Sequence, residues 1–137
     1  MQLSTLDHIN IQTRDLDRTT WFFETILGMH RGYRPEFPFP GAWLYVGDRA
    51  VVHLIGLTDK DPDVPKGSGS INHVAFNGSG LPELIDKVKK AGLEHQIRDV
   101  PGMKLRQVFL HDPNDIMVEI NFTGADAEGE RHDVFRV

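Results

Sequence analysis

Two stretches of this chain carry the same short pattern of an acid or amide, a histidine and a β-branched residue: LDHINI around His8 and INHVAF around His73. A second pair recurs at nearly the same interval, His53 in AVVHLIG and Glu119 in IMVEINF. The intervals from 8 to 73 and from 53 to 119 are 65 and 66 residues long. A period of that length exceeds a solenoid repeat and divides a 137-residue chain into two modules of one design. Other marks agree. Gly28 in LGM and Gly92 in AGL stand 64 residues apart, and Gly47-Asp48 is answered by His111-Asp112.

Each of the four segments alternates as a strand does, with successive side chains on opposite faces. Ile9 and Ile11 oppose Leu6, His8 and Asn10, and Val52 and Leu54 oppose Val51, His53 and Ile55. Val74 and Phe76 oppose Ile71, His73 and Ala75, and Val118, Ile120 and Phe122 oppose Met117, Glu119 and Asn121. Every imidazole or carboxylate thus lies opposite the aliphatics that helices would cover. A lone histidine on a polar strand face is most simply a solvated side chain. Four such groups in register are a pattern, and Glu119, between Val118 and Ile120, would be costly to turn inward without a partner. His8, His73 and Glu119 have the composition of a two-histidine, one-carboxylate metal site.

The segments between these strands also repeat. Caps at Thr13 to Asp15 and the spacing of Leu16, Thr20, Phe23 and Leu27 predict one amphipathic helix that ends at Gly28. A short strand near His30 to Arg34 follows, then GAWLYVG and AVVHLIG, joined by a tight turn at Gly47-Asp48-Arg49. The second helix has Pro82 in its first turn, a stripe of Leu81, Leu84, Ile85 and Val88, and Gly92 beyond its end. Strands are expected near Glu94 to Arg98, Lys104 to Leu110 and Asp115 to Phe122, the last two joined at Asp112-Pro113-Asn114. The expected organisation is one domain over 1–137. Module 1 spans about 5–57, a polar linker 58–70, module 2 about 71–123, and a tail 124–137, whose terminal apolar residues in DVFRV could dock on a partner subunit.

Composition narrows the partners. A net charge of −5 without a dense Lys/Arg stripe argues against nucleic acid and anionic membrane and leaves a small molecule. No apolar run approaches a membrane span and no signal peptide precedes the first strand, so cytoplasm is the expected compartment. The chain has no cysteine, so any metal must be held by histidine and carboxylate. Phe37, Phe39 and Trp43 are candidates to line a pocket, with dimer contacts or packing as the alternative. Arg34, Arg98 and Arg106 could bind an anionic group but read most simply as solvated charges. His30, His95, His111 and His132 read as surface or turn residues, and Lys87 to Lys90 as the wet end of the second helix.

With LDHINI, FFETILGM, INHVAF, FLHDPND and IMVEINF in order at module spacing, the chain resembles the vicinal oxygen chelate superfamily over about residues 5 to 123. That superfamily includes glyoxalase I, methylmalonyl-CoA epimerase, fosfomycin-modifying enzymes, bleomycin-binding proteins and extradiol dioxygenases. The resemblance implies an α+β fold of two pseudo-symmetric βαβββ modules whose mixed sheets curl around a metal-binding cleft, often in a homodimer. Asp115 stands where the family often has Gly.

The resemblance places His8, His73 and Glu119 on the family's metal-ligand positions. His53 falls on the strand where glyoxalase I and the epimerase carry a Glu or Gln as fourth ligand. It also falls in the interval where extradiol dioxygenases keep an acid/base histidine. The implied catalytic residues are His53 and Glu119, with Phe39, Trp43 and Phe109 in the substrate pocket. Phe109 stands where the dioxygenases carry a tyrosine. The implied cofactor is a divalent ion, Fe(II) in the leading reading and Ni, Zn, Co or Mn otherwise. The leading expectation is an extradiol-type dioxygenase acting on a substrate with two adjacent oxygens. The alternatives are a glyoxalase I-like isomerase or lyase, and a binding protein that sequesters an antibiotic or metabolite without chemistry.

Overall fold

The computed structural model describes residues 1–132 and 135–137. The chain divides into two compact units, Met1–Pro65 and Lys66–Val137. In the first, strand β1 (Ile9–Thr13) leads into helix α1 (Leu16–Trp21), followed by strands β2 (His30–Gly32), β3 (Gly41–Val46) and β4 (Arg49–Gly56). In the second, β5 (Val74–Asn77) leads into helix α2 (Leu81–Lys90), then β6 (Gln96–Asp99), β7 (Arg106–His111) and β8 (Met117–Phe122). Each unit is a four-stranded mixed sheet, ordered β1-β4-β3-β2 and β5-β8-β7-β6. The first and last strands pair in parallel and the remaining neighbours are antiparallel.

The alternation expected of the strands is present. In unit 1, Ile11, Val52 and Leu54 are buried, as are Phe22, Phe23 and Ile26 from the helical segment and Ala42 and Leu44 from β3. In unit 2, Val108, Leu110, Val118, Ile120 and Phe122 are buried on the sheet, with Leu81, Leu84 and Val88 of α2. Each large apolar side chain covered in this way stabilises its unit by about 1.5–3 kcal/mol. The β3–β4 turn closes in two residues because Gly47 takes φ 60°.

Three expectations are corrected. The first helix is not uniform: after Trp21 it widens into a π-helix over Phe22–Ile26, with Leu27 N–H reaching back to Phe22 O. The adjacent Phe22 and Phe23 are both buried in this wider segment. His8 and His73 each stand one residue before the strand that was expected to contain them. The third correction is Arg106, read as a solvated charge, which is only 5% exposed. It pairs with Asp99 at 3.0 Å and donates to the carbonyls of Asp126, Glu128 and Glu130.

The tail, to which the sequence assigns no regular structure, is tied to its own unit through its described residues. A 3-10 turn over Gly124–Ala127 brings the Asp126 carboxylate to the backbone N–H groups of Gly80 and Leu81, so it caps α2. His132 N–H donates to Asp99 at 2.6 Å. Asp133 and Val134 lie outside the described residues, and beyond them Phe135 packs on Phe109 of the same unit, with ring centroids 5.8 Å apart. No helix among the described residues is long and apolar enough to cross a membrane.

Candidate functional site

Strand register places the candidate ligands equivalently in the two units. Asn10 pairs with His53 across β1 and β4, and Ala75 with Glu119 across β5 and β8. His8 and His73 each precede that partner by two residues, so each histidine shares a sheet face with His53 or Glu119 respectively. The neighbouring antiparallel strand adds an aromatic ring on the same face, Trp43 opposite His53 and Phe109 opposite Glu119. The 65- and 66-residue intervals in the sequence are therefore one site design built twice.

In unit 1 the rings stack. His8 lies on His53 with centroids 3.7 Å apart, and His53 lies on Trp43 at 3.9 Å, both pairs 11° from parallel. His8 Nδ1 is 2.6 Å from Asp7 Oδ2. Since a carboxylate only accepts, Nδ1 carries the proton, and in the neutral form of the ring Nε2 is the lone-pair atom. The contact holds the Asp7 carboxyl below its usual range, mainly through the His8 hydrogen bond. His53 Nε2 donates to Ala50 O over 3.1 Å, which leaves Nδ1 as its acceptor atom. Burial holds the His53 imidazole below the ordinary histidine range, helped by the charges of His8 and, more weakly, Arg34.

In unit 2 the pair is His73 and Glu119. His73 Nδ1 lies 2.7 Å from Asn72 Oδ1, and with the proton there Nε2 is again the lone-pair atom. That Nε2 is 3.0 Å from Glu119 Oε2. Two lone-pair atoms at this distance require a proton or a cation to bridge them. The other oxygen, Oε1, accepts from Gln107 Nε2 at 2.6 Å, and Gln107 also donates to Asn121 Oδ1 at 3.0 Å. Arg98 Nε donates to Gln107 Oε1 at 2.7 Å, which completes a polar chain on a carboxylate that is only 4% exposed. Phe109, 3% exposed, lies edge-on to His73 at 6.2 Å.

The donor chemistry fits a divalent ion. In the neutral form His8 and His53 each commit one ring nitrogen to an acceptor and keep a lone pair on the other, the condition for an imidazole ligand held in orientation by its neighbours, whereas His73 Nε2 already faces Glu119 Oε2. Each unit supplies a pair of such groups. Among the described residues, no three His, Asp or Glu side chains gather closely enough to hold an ion. The stacking in unit 1 also separates the roles of its two histidines. Lone pairs in two nearly parallel, stacked rings with centroids 3.7 Å apart lie in separate planes, so one ion cannot lie on both axes without a ring rotating.

Of the pocket candidates, Trp43 is half-buried, while Phe37 and Phe39 are 42% and 41% exposed. Of the histidines read as surface or turn residues, His30 is exposed and stacks on Tyr45. A hollow of about 440 Å³ in unit 2, lined by Leu93, Glu94, His111, Asp112 and Asp115, includes none of the candidate ligands. Asp7, Asn72 and Gln107 were not assigned roles in the sequence. The signal for the first two is the acid or amide immediately before each histidine, and Gln107 has no local signal.

Comparison with known proteins gives a consistent family. A model of the glyoxalase/bleomycin resistance protein/dioxygenase superfamily matches residues 5–120. A protein of Arabidopsis thaliana called Glyoxylase I 4 is 28% identical over 126 residues, 88% of this chain and 71% of its own length. A glyoxylase/bleomycin resistance protein/dioxygenase domain from Frankia sp. superposes with a TM-score of 0.72 at 18% identity, over 90% of this chain and all of that domain. A variant of the fosfomycin resistance protein FosX from Listeria monocytogenes, solved with Mn(II) and 1S,2S-dihydroxypropylphosphonic acid, superposes at 0.71 and 18% identity, over 92% and 97% of the two chains.

Proposed function

We propose, from the premise that the chain belongs to the glyoxalase/bleomycin resistance protein/dioxygenase superfamily, that it is a divalent-metal-dependent enzyme acting on a small substrate with two adjacent oxygens. His8, His73 and Glu119 are its metal ligands and His53 its acid/base group. The observation that carries this reading is the orientation of the imidazoles: Asp7 and Asn72 hold the Nδ1 side of the two ligand histidines, and His73 Nε2 faces Glu119 Oε2. When bound, the ion supplies Lewis acidity and a template for the two oxygens. His53, held neutral and stacked between His8 and Trp43, accepts and returns a proton at Nδ1. Gln107 keeps one oxygen of Glu119 occupied and leaves the other turned to His73.

The reaction class we favour is glyoxalase-like proton transfer or addition at a carbon next to an oxygen of the substrate. It is supported by the similarity to the Arabidopsis protein and by the Mn(II) that FosX holds in a similar fold. Extradiol ring cleavage is the second reading, favoured by a three-ligand set with a neighbouring histidine. Phe109 in place of the tyrosine counts against it. A homodimer is part of the proposal.

Elemental analysis of untagged protein purified without oxygen from cells grown on balanced trace metals tests the metal claim. Manganese, nickel, zinc or cobalt near one per chain, with proton exchange beside a carbonyl that is lost in Glu119→Gln, supports the first reading. Iron with oxygen uptake on a catechol supports the second. Protein with no bound ion and no affinity for added Mn(II) overturns both.

A further inference from the structure

The duplication extends to two arginines. Arg34 and Arg98 stand 64 residues apart, the interval that separates Gly28 from Gly92. In unit 2, Gln96 pairs with Phe109 and Arg98 with Gln107. In unit 1, Gly32 pairs with Trp43, which brings Arg34, two residues further on, beside Gly41. A Cβ at position 41 would meet Leu54 O first, and would lie 2.6 Å from Arg34 Nη2 and 2.8 Å from Arg34 Cζ. The surroundings match as well. The Arg98 guanidinium lies 5.0 Å and 5.6 Å from the ring centroids of Phe109 and Phe135 and donates to Phe135 O. The Arg34 guanidinium lies 5.0 Å and 5.1 Å from Phe37 and Phe39 and donates to Phe39 O.

The copies differ at the position opposite the arginine. Gln107 gives Arg98 Nε an acceptor at 2.7 Å. Gly41 has no side chain to offer, and Arg34 Nε is buried without a hydrogen-bond partner. Among the described residues no carboxylate is paired with Arg34. A half-buried cation with an unmet donor is an unfavourable arrangement unless something else completes it. The place is specific, because Gly41 and Trp43 point to one face of β3 and their partners across the strand pair are Ile55 and His53.

We propose that Arg34 is the receptor for a carboxylate on the substrate, its guanidinium lying over Gly41, where the Leu54 carbonyl already excludes a side chain, beside Trp43 and His53. The planar fork of an arginine matches a carboxylate with two parallel N–H donors. Arg98, the equivalent residue, is already engaged by Gln107 and Phe135 O and serves unit 2 internally. Arg34 Nε is shielded from solvent, so the carboxylate enters as Phe37 and Phe39 shift; both lie on the irregular segment 33–40. The inference rests on the proposed function in taking the Trp43–His53 face as the substrate face, and it is tested without metal so that the two fail separately.

The test is a titration of metal-free, ¹⁵N-labelled protein with benzoate, followed through the arginine Nε–H and Trp43 indole resonances. Saturable displacement of the Arg34 Nε–H signal is expected, with neutral benzamide at least about tenfold weaker, as for a lost charge-assisted hydrogen bond. Arg34→Gln should weaken benzoate by about tenfold or more, and Arg98→Gln should leave it within about twofold. An unmoved Arg34 signal up to about 10 mM benzoate overturns the proposal, as does equal binding of benzamide or equal loss in Arg98→Gln. The wild-type resonance decides the question even if Arg34→Gln fails to fold. Protein that takes up Mn(II) but not benzoate loses this inference alone, and protein that binds benzoate but no ion loses the metal reading alone.

Discussion

Gln107 Nε2 donates to Glu119 Oε1 over 2.6 Å, so the carboxylate presents only Oε2 toward His73. Glu119 is thereby prepared to bind an ion through one oxygen. Gln107→Ala should keep the fold and lower Mn(II) affinity about 10–100-fold, the usual effect of removing a group that orients a ligand. Isothermal calorimetry measures the loss, and the Co(II) absorption spectrum should change as the freed oxygen joins the coordination. An unchanged affinity and spectrum would show that the contact is only structural.

The imidazole of His53 titrates below the ordinary histidine value of 6.5, first through burial and then through the charge of His8. The folded unit therefore binds fewer protons at this site than the unfolded chain. Stability contributed by the neutral ring is complete above pH 6.5 and falls as the pH drops through 6.5 toward the folded value. Urea unfolding of metal-free protein at several pH values should show this slope, and His53→Leu should reduce it in that window. A variant with the wild-type slope would contradict the assignment.

Asp99 has the opposite sign. Burial alone would raise its carboxyl, but Arg106 and the His132 N–H outweigh burial and hold it below the usual carboxylate range. Its contribution is present above the unfolded carboxylate value of about 3.9 and is lost as the pH falls through the lower folded value. Breaking the buried pair by Asp99→Ala should destabilise the protein by about 3–5 kcal/mol. Faster hydrogen exchange at His132 should accompany it, since that N–H loses its acceptor. Exchange at His132 as slow as in the wild type would show that the tail is held elsewhere.

Asp115 takes φ 60° in the β7–β8 turn, the sole positive φ outside glycine among the described residues. Its charge also faces Asp112, whose carboxyl burial, chiefly, pushes upward. Asp115→Gly should stabilise by about 0.5–1 kcal/mol at neutral pH, and Asp115→Val should destabilise by about 1–2 kcal/mol, because a branched side chain resists this conformation. Thermal melts of both variants check the order, and a valine variant as stable as the glycine one would refute the strain.

The modular plan was legible because it is written in local alternation and repeated at one interval. His8, His53, His73 and Glu119 announce themselves by polarity on apolar strands. The immediate neighbours Asp7 and Asn72 were visible in the same motif, although their hold on Nδ1 is a matter of geometry. Arg106 and Gln107 were not legible. Their partners are the carbonyls of an aperiodic tail and a carboxylate two strand positions away, and neither arrangement has a sequence period. The π-helix at Phe22–Ile26 was hidden for a related reason: a single widened turn shifts the buried face without altering the residues that report it.

The parallel pairing of the first and last strands in each unit also bears on the order in which the molecule is made. A nascent chain released at β3 carries His8 immediately before β1, a strand whose hydrogen-bonding neighbour, β4, has not yet been synthesised. Antiparallel β2 and β3 can close early, but the parallel ladder waits for a segment some forty residues downstream, a contact of high sequence separation that forms slowly. The same holds for β5 and β8. Each donor pair is therefore assembled in the step that completes its sheet, and a truncated or half-folded unit holds one donor without its partner.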